Sequence, residues 1–227
     1  MIDPLYFLFI LPGLIIGIIA QILLKSGYGT YSKISAGSSL TGMQAAELLN
    51  EKENFGVGFV SKSGTLSDYF DPVKNVVNIS SDNATNGSVA NIAVVAHEFG
   101  HVQQKQVGQN LFKLRTVMVP AVNFGSGIGY ILIIIGLMVA SSGLTWLGIA
   151  LFSTVFLFSL VTLPIELDAS RRGMELIKKH NLIATDKLGG AKVVLRAAAL
   201  TYFAGLVQSL GQLAYFVMLA NQNSSRD

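Results

Sequence analysis

Four long apolar runs constrain this chain more than any other feature of its sequence. They cover residues 5–24, 117–139, 143–163 and 197–219. A helix of about 20 apolar residues is needed to cross the roughly 30 Å hydrocarbon core of a bilayer. Because backbone groups inside lipid must satisfy their own hydrogen bonds, each run is predicted to be a transmembrane helix. The chain is therefore predicted to be a multi-span, mainly helical protein embedded in a lipid bilayer.

The composition excludes several classes of function. Of the 227 residues, 51% are hydrophobic and only 13% are charged, about half the charge of an ordinary soluble domain. The chain has no cysteine, so any metal ion must be held by His, Asp or Glu. The net charge is only +3, and no cluster of Lys and Arg exists that could follow a phosphate backbone. This argues against nucleic-acid binding.

The distribution of Lys and Arg predicts the orientation in the membrane. Eight lie in residues 25–115 and seven in residues 166–196, whereas Arg226 is the only one elsewhere. Since cytoplasmic loops carry the excess of Lys and Arg, both polar segments are predicted to face the cytosol and the N-terminus to lie outside. The first run lacks the positive flank and cleavage site of a signal peptide, which favours a retained anchor. The protein is thus predicted to be a multi-pass protein of the plasma membrane.

These boundaries predict five segments. Residues 1–24 form an anchor, 25–115 a cytosolic region, 116–165 a transmembrane hairpin, 166–196 a second cytosolic segment, and 197–227 a helix and short tail. The first cytosolic region is predicted to be α+β. It should begin with an irregular connector over 25–39 and contain helices over 42–53 and 89–107, with short strands over 57–60 and 76–79. Thr41 and Ser88 are the predicted N-caps of the two helices.

The second of these helices carries the segment that indicates a chemistry. His97-Glu98-Phe99-Gly100-His101 fits the H-E-x-x-H motif. Two histidines four residues apart lie on one helix face, where both imidazoles can bind one zinc ion. Glu98 is then placed to act as general base on a zinc-bound water. Gly100 costs about 1 kcal/mol inside a helix, which predicts a close approach of another element there.

The motif leaves the third zinc ligand open. A catalytic zinc ion takes three protein ligands and a water. Val107 stands where a metzincin has its third histidine, so that subclass is excluded. Glu166, which directly follows the third apolar run, is the main candidate, because a carboxylate at the lipid boundary is costly unless paired or metal-bound. Glu175 and His180 are the alternatives.

Three further residues are candidates around the metal ion. Asp168 could accept the free N–H of a ligating histidine and so fix its tautomer. Arg171 or Arg172 could stabilise the oxyanion of the tetrahedral intermediate, although both also fit the excess of positive charge in a cytosolic segment.

Several segments resemble one known family. They are Ser67-Asp68-Tyr69-Phe70-Asp71-Pro72, the motif with its lead-in Val95-Ala96, and Leu163-Pro164-Ile165-Glu166-Leu167-Asp168-Ala169-Ser170. Over nearly its whole length the chain resembles the YugP-like neutral zinc metallopeptidases of bacteria, which are similar in layout to CAAX prenyl proteases and HtpX-type proteases.

The resemblance implies a zincin-like region of the gluzincin type, with Glu166 as third ligand and Tyr69 as a candidate substrate contact. It also implies that an edge strand over residues 76–79 pairs with extended substrate.

Two classes of function follow. The first is a zinc-dependent endopeptidase that cleaves peptide or protein substrates in membrane protein quality control or processing. The rival is a non-catalytic, zinc-stabilised membrane scaffold, for which Gly13-xxx-Gly17 and Gly125-xxx-Gly129 could pack partner helices. A transporter is disfavoured because the first three spans lack charged residues. The sequence leaves open a homo-oligomer or a partner membrane protein.

Overall fold

The computed structural model describes residues 4–64 and 67–224, which are mainly helical with one small sheet. The elements are α1 Pro4–Tyr31, α2 Gly42–Lys52, β1 Gly58–Lys62, β2 Tyr69–Asp71, β3 Val76–Ser80, α3 Ser81–Thr85, α4 Val89–Gln106, α5 Asn110–Met138, α6 Ser142–Lys179, a 3-10 turn Thr185–Lys187 and α7 Leu188–Ser224. The predicted fold class, mainly α with a small α+β region, is confirmed.

Among the residues that the structure describes, four helical segments are long and apolar enough to cross a membrane. They are Pro4–Tyr31, Asn110–Met138, Ser142–Lys179 and Thr185–Asn223. Each covers one of the apolar runs of the sequence, except that Val139 lies just past the end of the second helix, and their number matches the predicted number of spans.

Helices α1 and α6 continue past the C-terminal ends of their apolar runs into segments that were predicted to lie outside the membrane. Helix α1 extends to Tyr31, so the start of the predicted irregular connector is helical. Tyr28 explains the extension, because its buried hydroxyl makes hydrogen bonds of 3.0 and 2.9 Å with Asp82 and Asn83. Helix α6 includes Pro164 and does not end there. Its buried face continues through Ile165 and on to Leu176, so Glu166 lies on the same helix as the third apolar run.

The sheet has the strand order β1-β3-β2. Strands β1 and β3 are parallel, and β2 pairs with β3 in the antiparallel direction. The implied edge strand over residues 76–79 is therefore wrong, because β3 is the central strand and has hydrogen-bonded neighbours on both sides. Strands β1 and β2 form the edges of the sheet.

The chain divides into two compact units, and one of them contains Ala20–Lys113 and Ile165–Leu200. Its helices α2 and α4 begin with complete capping boxes, in which Thr41 pairs with Gln44 and Ser88 with Asn91. Both predicted N-caps are thus confirmed. The aromatic ring of Phe99 in α4 is fully buried in this unit.

The other unit comprises Met1–Ile19, Leu114–Pro164 and Thr201–Asp227, as far as the described residues reach. Its core contains Ile133, Ile149, Phe152, Phe216 and Ala220. Glycines of both G-xxx-G motifs pack within the chain. A Cβ on Gly13 would meet the backbone of Gln208, and a Cβ on Gly129 would lie 2.7 Å from the amide nitrogen of Phe152.

Candidate metal centre

The i, i+4 spacing on α4 brings two imidazoles together. The ring centroids of His97 and His101 are 4.9 Å apart. Both Nε2 atoms point at Oε2 of Glu166, at 3.2 Å from His97 and 3.4 Å from His101. Glu166 is 1% exposed and His101 6% exposed, so the three side chains meet in a buried position.

The three side chains fit a zinc ion by their chemistry. One ligand atom from each of His97, His101 and Glu166 lies within 4.8 Å of the others. Two imidazole nitrogens and one carboxylate oxygen are a donor set that catalytic zinc uses, and they leave a coordination position for water. A carboxylate buried this deeply is stable only when it is paired or bound to a metal ion. Glu166 is therefore the third ligand that the geometry favours.

Two glycines explain why the ligand-bearing helices approach so closely. A Cβ on Gly100 of α4 would overlap the carbonyl oxygen of Ala169 in α6. A Cβ on Gly173 of α6 would lie 2.9 Å from the carbonyl oxygen of Ala96 in α4. The backbones of the two helices are thus in direct contact on both sides of the site. The sequence predicted that another element approaches α4 closely at Gly100. The contact with α6 confirms this prediction.

The second nitrogen of each histidine also has a partner. Nδ1 of His101 lies 2.9 Å from Oε1 of Gln104, and Nδ1 of His97 lies 3.2 Å from the hydroxyl of Ser170. A neutral histidine that uses Nε2 as a metal ligand carries its proton on Nδ1. His101 can therefore donate to the Gln104 amide oxygen, which fixes the ring orientation.

The prediction that Asp168 accepts directly from a ligating histidine is wrong. The acceptor is Gln104, whose amide nitrogen donates to the carbonyl oxygen of Ile165 at 2.8 Å and to Asp168 at 2.9 Å. Asp168 thus supports His101 through an intervening amide. Gln104 and Ser170 were missed in the sequence, although each stands one helical turn after a candidate ligand and so lies on the same helix face.

Both candidate arginines form ion pairs with carboxylates. Arg171 donates to Asp168 at 2.5 Å and to Glu175 at 2.6 Å, and more than half of its side chain is exposed. Arg172 donates to Asp168 at 2.7 Å and to Gln103 at 3.0 Å. The role of Arg171 or Arg172 at an oxyanion stays a prediction.

The remaining candidates lie in other contacts. Glu175 pairs with Arg171, and Nε2 of His180 lies 2.5 Å from Oε1 of Glu53, so neither alternative ligand is part of the cluster. Tyr69 is 41% exposed on β2, and its hydroxyl accepts a hydrogen bond from Lys62 at 3.3 Å. Its substrate contact stays a prediction.

Glu98 lies on the side of α4 that faces the sheet. Its carboxylate is buried and accepts a hydrogen bond of 2.9 Å from the backbone N–H of Phe70 in β2. Burial raises the pKa of Glu98 to about 7, against the opposing effect of His97, and the negative charges of Glu166 and Asp68 act in the same direction as burial. The site thus has a carboxyl group beside the ligands whose pKa lies near neutrality.

Comparison with known proteins identifies a family for this chain. The family model described as "Putative neutral zinc metallopeptidase" matches residues 6–221. "Putative membrane protease YugP" of Bacillus subtilis (strain 168) is 38% identical over 201 residues, which cover 88% of this chain and 89% of the relative. No solved structure matches the chain. The family match over almost the whole chain and this relative show that the protein belongs to the family described as "Putative neutral zinc metallopeptidase".

Proposed function

We propose that this protein is a membrane-bound zinc endopeptidase that hydrolyses peptide bonds. His97, His101 and Glu166 hold the metal ion, and Glu98 is the general base. One observation carries the proposal: the Nε2 atoms of both histidines converge on one oxygen of Glu166 in a buried position, and the buried Glu98 directly follows His97 in α4. The family membership and the relative named as a membrane protease support the same class of reaction.

In this proposal, each residue of the site has a separate role in the hydrolysis of the peptide bond. A bound zinc ion would polarise the substrate carbonyl and lower the pKa of water to about 7. Glu98 takes the proton of the attacking water on its carboxylate and delivers it to the nitrogen of the leaving amine. The Phe70 N–H orients the Glu98 carboxylate, and Gln104 and Ser170 hold the two imidazoles in place.

The substrate in this proposal is an extended peptide or protein segment. Strand β2, Tyr69–Asp71, is an edge of the sheet, and its Phe70 N–H points away from β3 to Glu98. A peptide that runs along this edge passes the general base, as in other cases of strand addition. The edge strand proposed to bind substrate is therefore β2. The resemblance had implied residues 76–79, but these form the central strand β3.

We place the site on the cytoplasmic face of the plasma membrane, with the N-terminus outside. The support is the fifteen Lys and Arg in residues 25–115 and 166–196 against one elsewhere. In this arrangement the two cytosolic segments together form one zincin-like catalytic region. A site beside the membrane suits membrane protein quality control or the processing of membrane proteins.

The test compares zinc content and cleavage in the detergent-purified protein. Wild type, Glu98→Gln, Glu166→Ala and the control Glu175→Ala are measured by elemental analysis and by cleavage of an unfolded model protein. Wild type and the control should hold about one zinc per chain and cleave. Glu98→Gln should keep zinc and lose about 100-fold or more in rate, and Glu166→Ala should lose both.

Two results would contradict the proposal. Full turnover by Glu98→Gln would exclude Glu98 as the general base. If zinc stays bound in every variant and nothing is cleaved, the rival function is favoured, in which a structural zinc ion stabilises a scaffold. The buried carboxylate of Glu98, which is not among the three ligand side chains, favours catalysis over that rival.

A further inference from the structure

A cavity of about 360 Å³ lies between α6 and α7 in the unit that holds the candidate metal centre. We call it the α6–α7 cavity. Its size is within the range of small-molecule sites. Its lining combines apolar side chains with cations. The apolar side chains are Leu167, Met174, Leu195 and Ala199, and the cations without a carboxylate partner are Lys178, Lys192 and Arg196.

The three cations have no partner within the described part of the chain. Over residues 4–64 and 67–224, Lys178, Lys192 and Arg196 make neither a hydrogen bond nor an ion pair through their side chains. Arg171, which lines the same cavity, differs because Asp168 and Glu175 already neutralise it. The cavity therefore has a concentrated positive charge that nothing in the described protein balances, and such a field attracts an anion.

The α6–α7 cavity lies at the ends of two apolar runs, where each run borders polar sequence. Leu167 follows the run 143–163, and Ala199 belongs to the run 197–219. In the proposed orientation this level is the cytoplasmic surface, where anionic lipids collect at clusters of Lys and Arg. A second cavity, of about 500 Å³ and also largely apolar, shares Arg196 with the first. Arg196 thus lies between two largely apolar cavities. This arrangement fits a lipid that has one charged headgroup and two acyl chains.

We propose that the α6–α7 cavity binds an anionic phospholipid. Lys178, Lys192 and Arg196 bind its phosphate, as Lys and Arg commonly do. The acyl chains pack on the apolar residues of the two cavities. This site does not require the proposed peptidase activity, and its place at the cytoplasmic surface rests on the proposed orientation.

The position of Ser170 argues against a substrate site for the same cavity. Ser170 lines the cavity and contacts Nδ1 of His97, whereas Nε2 of that ring faces Glu166. The cavity thus adjoins the side of the imidazole that points away from the candidate metal position. A peptide bound there would not present its carbonyl to Glu98.

The test measures lipid binding to the full-length, detergent-purified protein by native mass spectrometry. Phosphatidylglycerol is compared with phosphatidylcholine on wild type and on the variant Lys178→Gln/Lys192→Gln/Arg196→Gln. The control Lys25→Gln/Lys33→Gln/Lys52→Gln removes the same charge outside the α6–α7 cavity. Wild type and control should prefer phosphatidylglycerol, and the cavity variant should bind it about tenfold or more weakly.

Additional measurements distinguish a phospholipid from surface charge, a free phosphate and a peptide. Equal loss in the control variant would mean diffuse attraction by surface charge and would overturn the proposal. Tight binding of glycerol phosphate, without acyl chains, would overturn the lipid as ligand, as would an acidic peptide that binds where phosphatidylglycerol does not. Photoreactive phosphatidylglycerol should cross-link within residues 167–200 or 23–31 of wild type, which line the two cavities, and this result does not depend on the folding of any variant. Cross-links only elsewhere would also refute the site.

Discussion

Gly100 of α4 lies against the carbonyl oxygen of Ala169 in α6, with no space for a Cβ between the two backbones. Ala169 stands three residues after Glu166 on the same helix. The contact therefore fixes the distance between the helix that carries the histidines and the helix that carries the carboxylate. A similar contact between Gly173 and Ala96 holds the other side of the crossing.

Substituting Gly100→Ala should separate the helices and weaken the metal site. The added methyl group overlaps backbone, which cannot rotate away, so we expect a stability loss of about 1–3 kcal/mol. Glu166 should move from the histidines, and the Kd for zinc should rise. The measurements are thermal unfolding in detergent and zinc competition with a chelator. Gly29→Ala is the control, because a Cβ there meets nothing within 4 Å. Equal effects of both variants would refute the role of the crossing.

Gln104→Leu should weaken zinc binding without removing a ligand. The substitution takes away the acceptor for Nδ1 of His101 and the two hydrogen bonds to Ile165 and Asp168. Loss of such a supporting contact commonly costs about 10–100-fold in metal affinity. Chelator competition measures the change. The exposed Gln106→Leu on the same helix should retain wild-type affinity, and unchanged zinc binding in Gln104→Leu would show that His101 is oriented by other contacts.

Glu53 should stabilise the protein in a pH-dependent manner. Burial would raise the pKa of Glu53, but hydrogen bonds from Lys179 and His180 outweigh it and hold the pKa below its ordinary value of about 4.5. A lowered carboxyl pKa stabilises the folded protein above the ordinary value, and this stabilisation is lost as the pH falls towards the lowered pKa. Glu53→Gln should therefore cost about 1–3 kcal/mol near pH 7.

Unfolding midpoints of wild type and Glu53→Gln across the acidic range check this prediction. The difference between the two proteins should shrink once the pH falls below about 4.5. Glu51→Gln, two residues earlier on the exposed surface of α2, should match wild type at every pH. A constant difference between wild type and Glu53→Gln would contradict an ionic contribution.

Gly129→Leu should destabilise the hairpin of α5 and α6 within one chain. A Cβ on Gly129 would lie 2.7 Å from the amide nitrogen of Phe152 and 2.9 Å from the carbonyl oxygen of Gly148. The larger side chain should lower the unfolding midpoint in detergent and leave the molecular mass of the particle unchanged. Gly127→Leu is the matched control, since a Cβ there meets nothing within 4 Å. A change of mass caused only by Gly129→Leu would instead assign this glycine to an interface between chains.

The spans and the metal-binding helix could be predicted because each depends on local sequence. Hydrophobic length determines whether a helix can cross a bilayer, and an i, i+4 pair lies on one helix face whatever surrounds it. Capping at Thr41 and Ser88 is local in the same way, since each cap binds a residue three positions later. These features can therefore be predicted without knowing which residues that are distant in sequence contact each other.

Only the tertiary structure decided how these elements combine. The order β1-β3-β2 depends on pairing between strands that are distant in sequence, so the central position of β3 could not be recognised from its β-branched residues. His101 and Gln104 lie one turn apart on α4, but the hydrogen bonds that hold the Gln104 amide to Ile165 and Asp168 depend on the crossing of α4 and α6. That crossing is set by backbone contact at Gly100 and Gly173, and a sequence shows only that a glycine is present, not which backbone it meets.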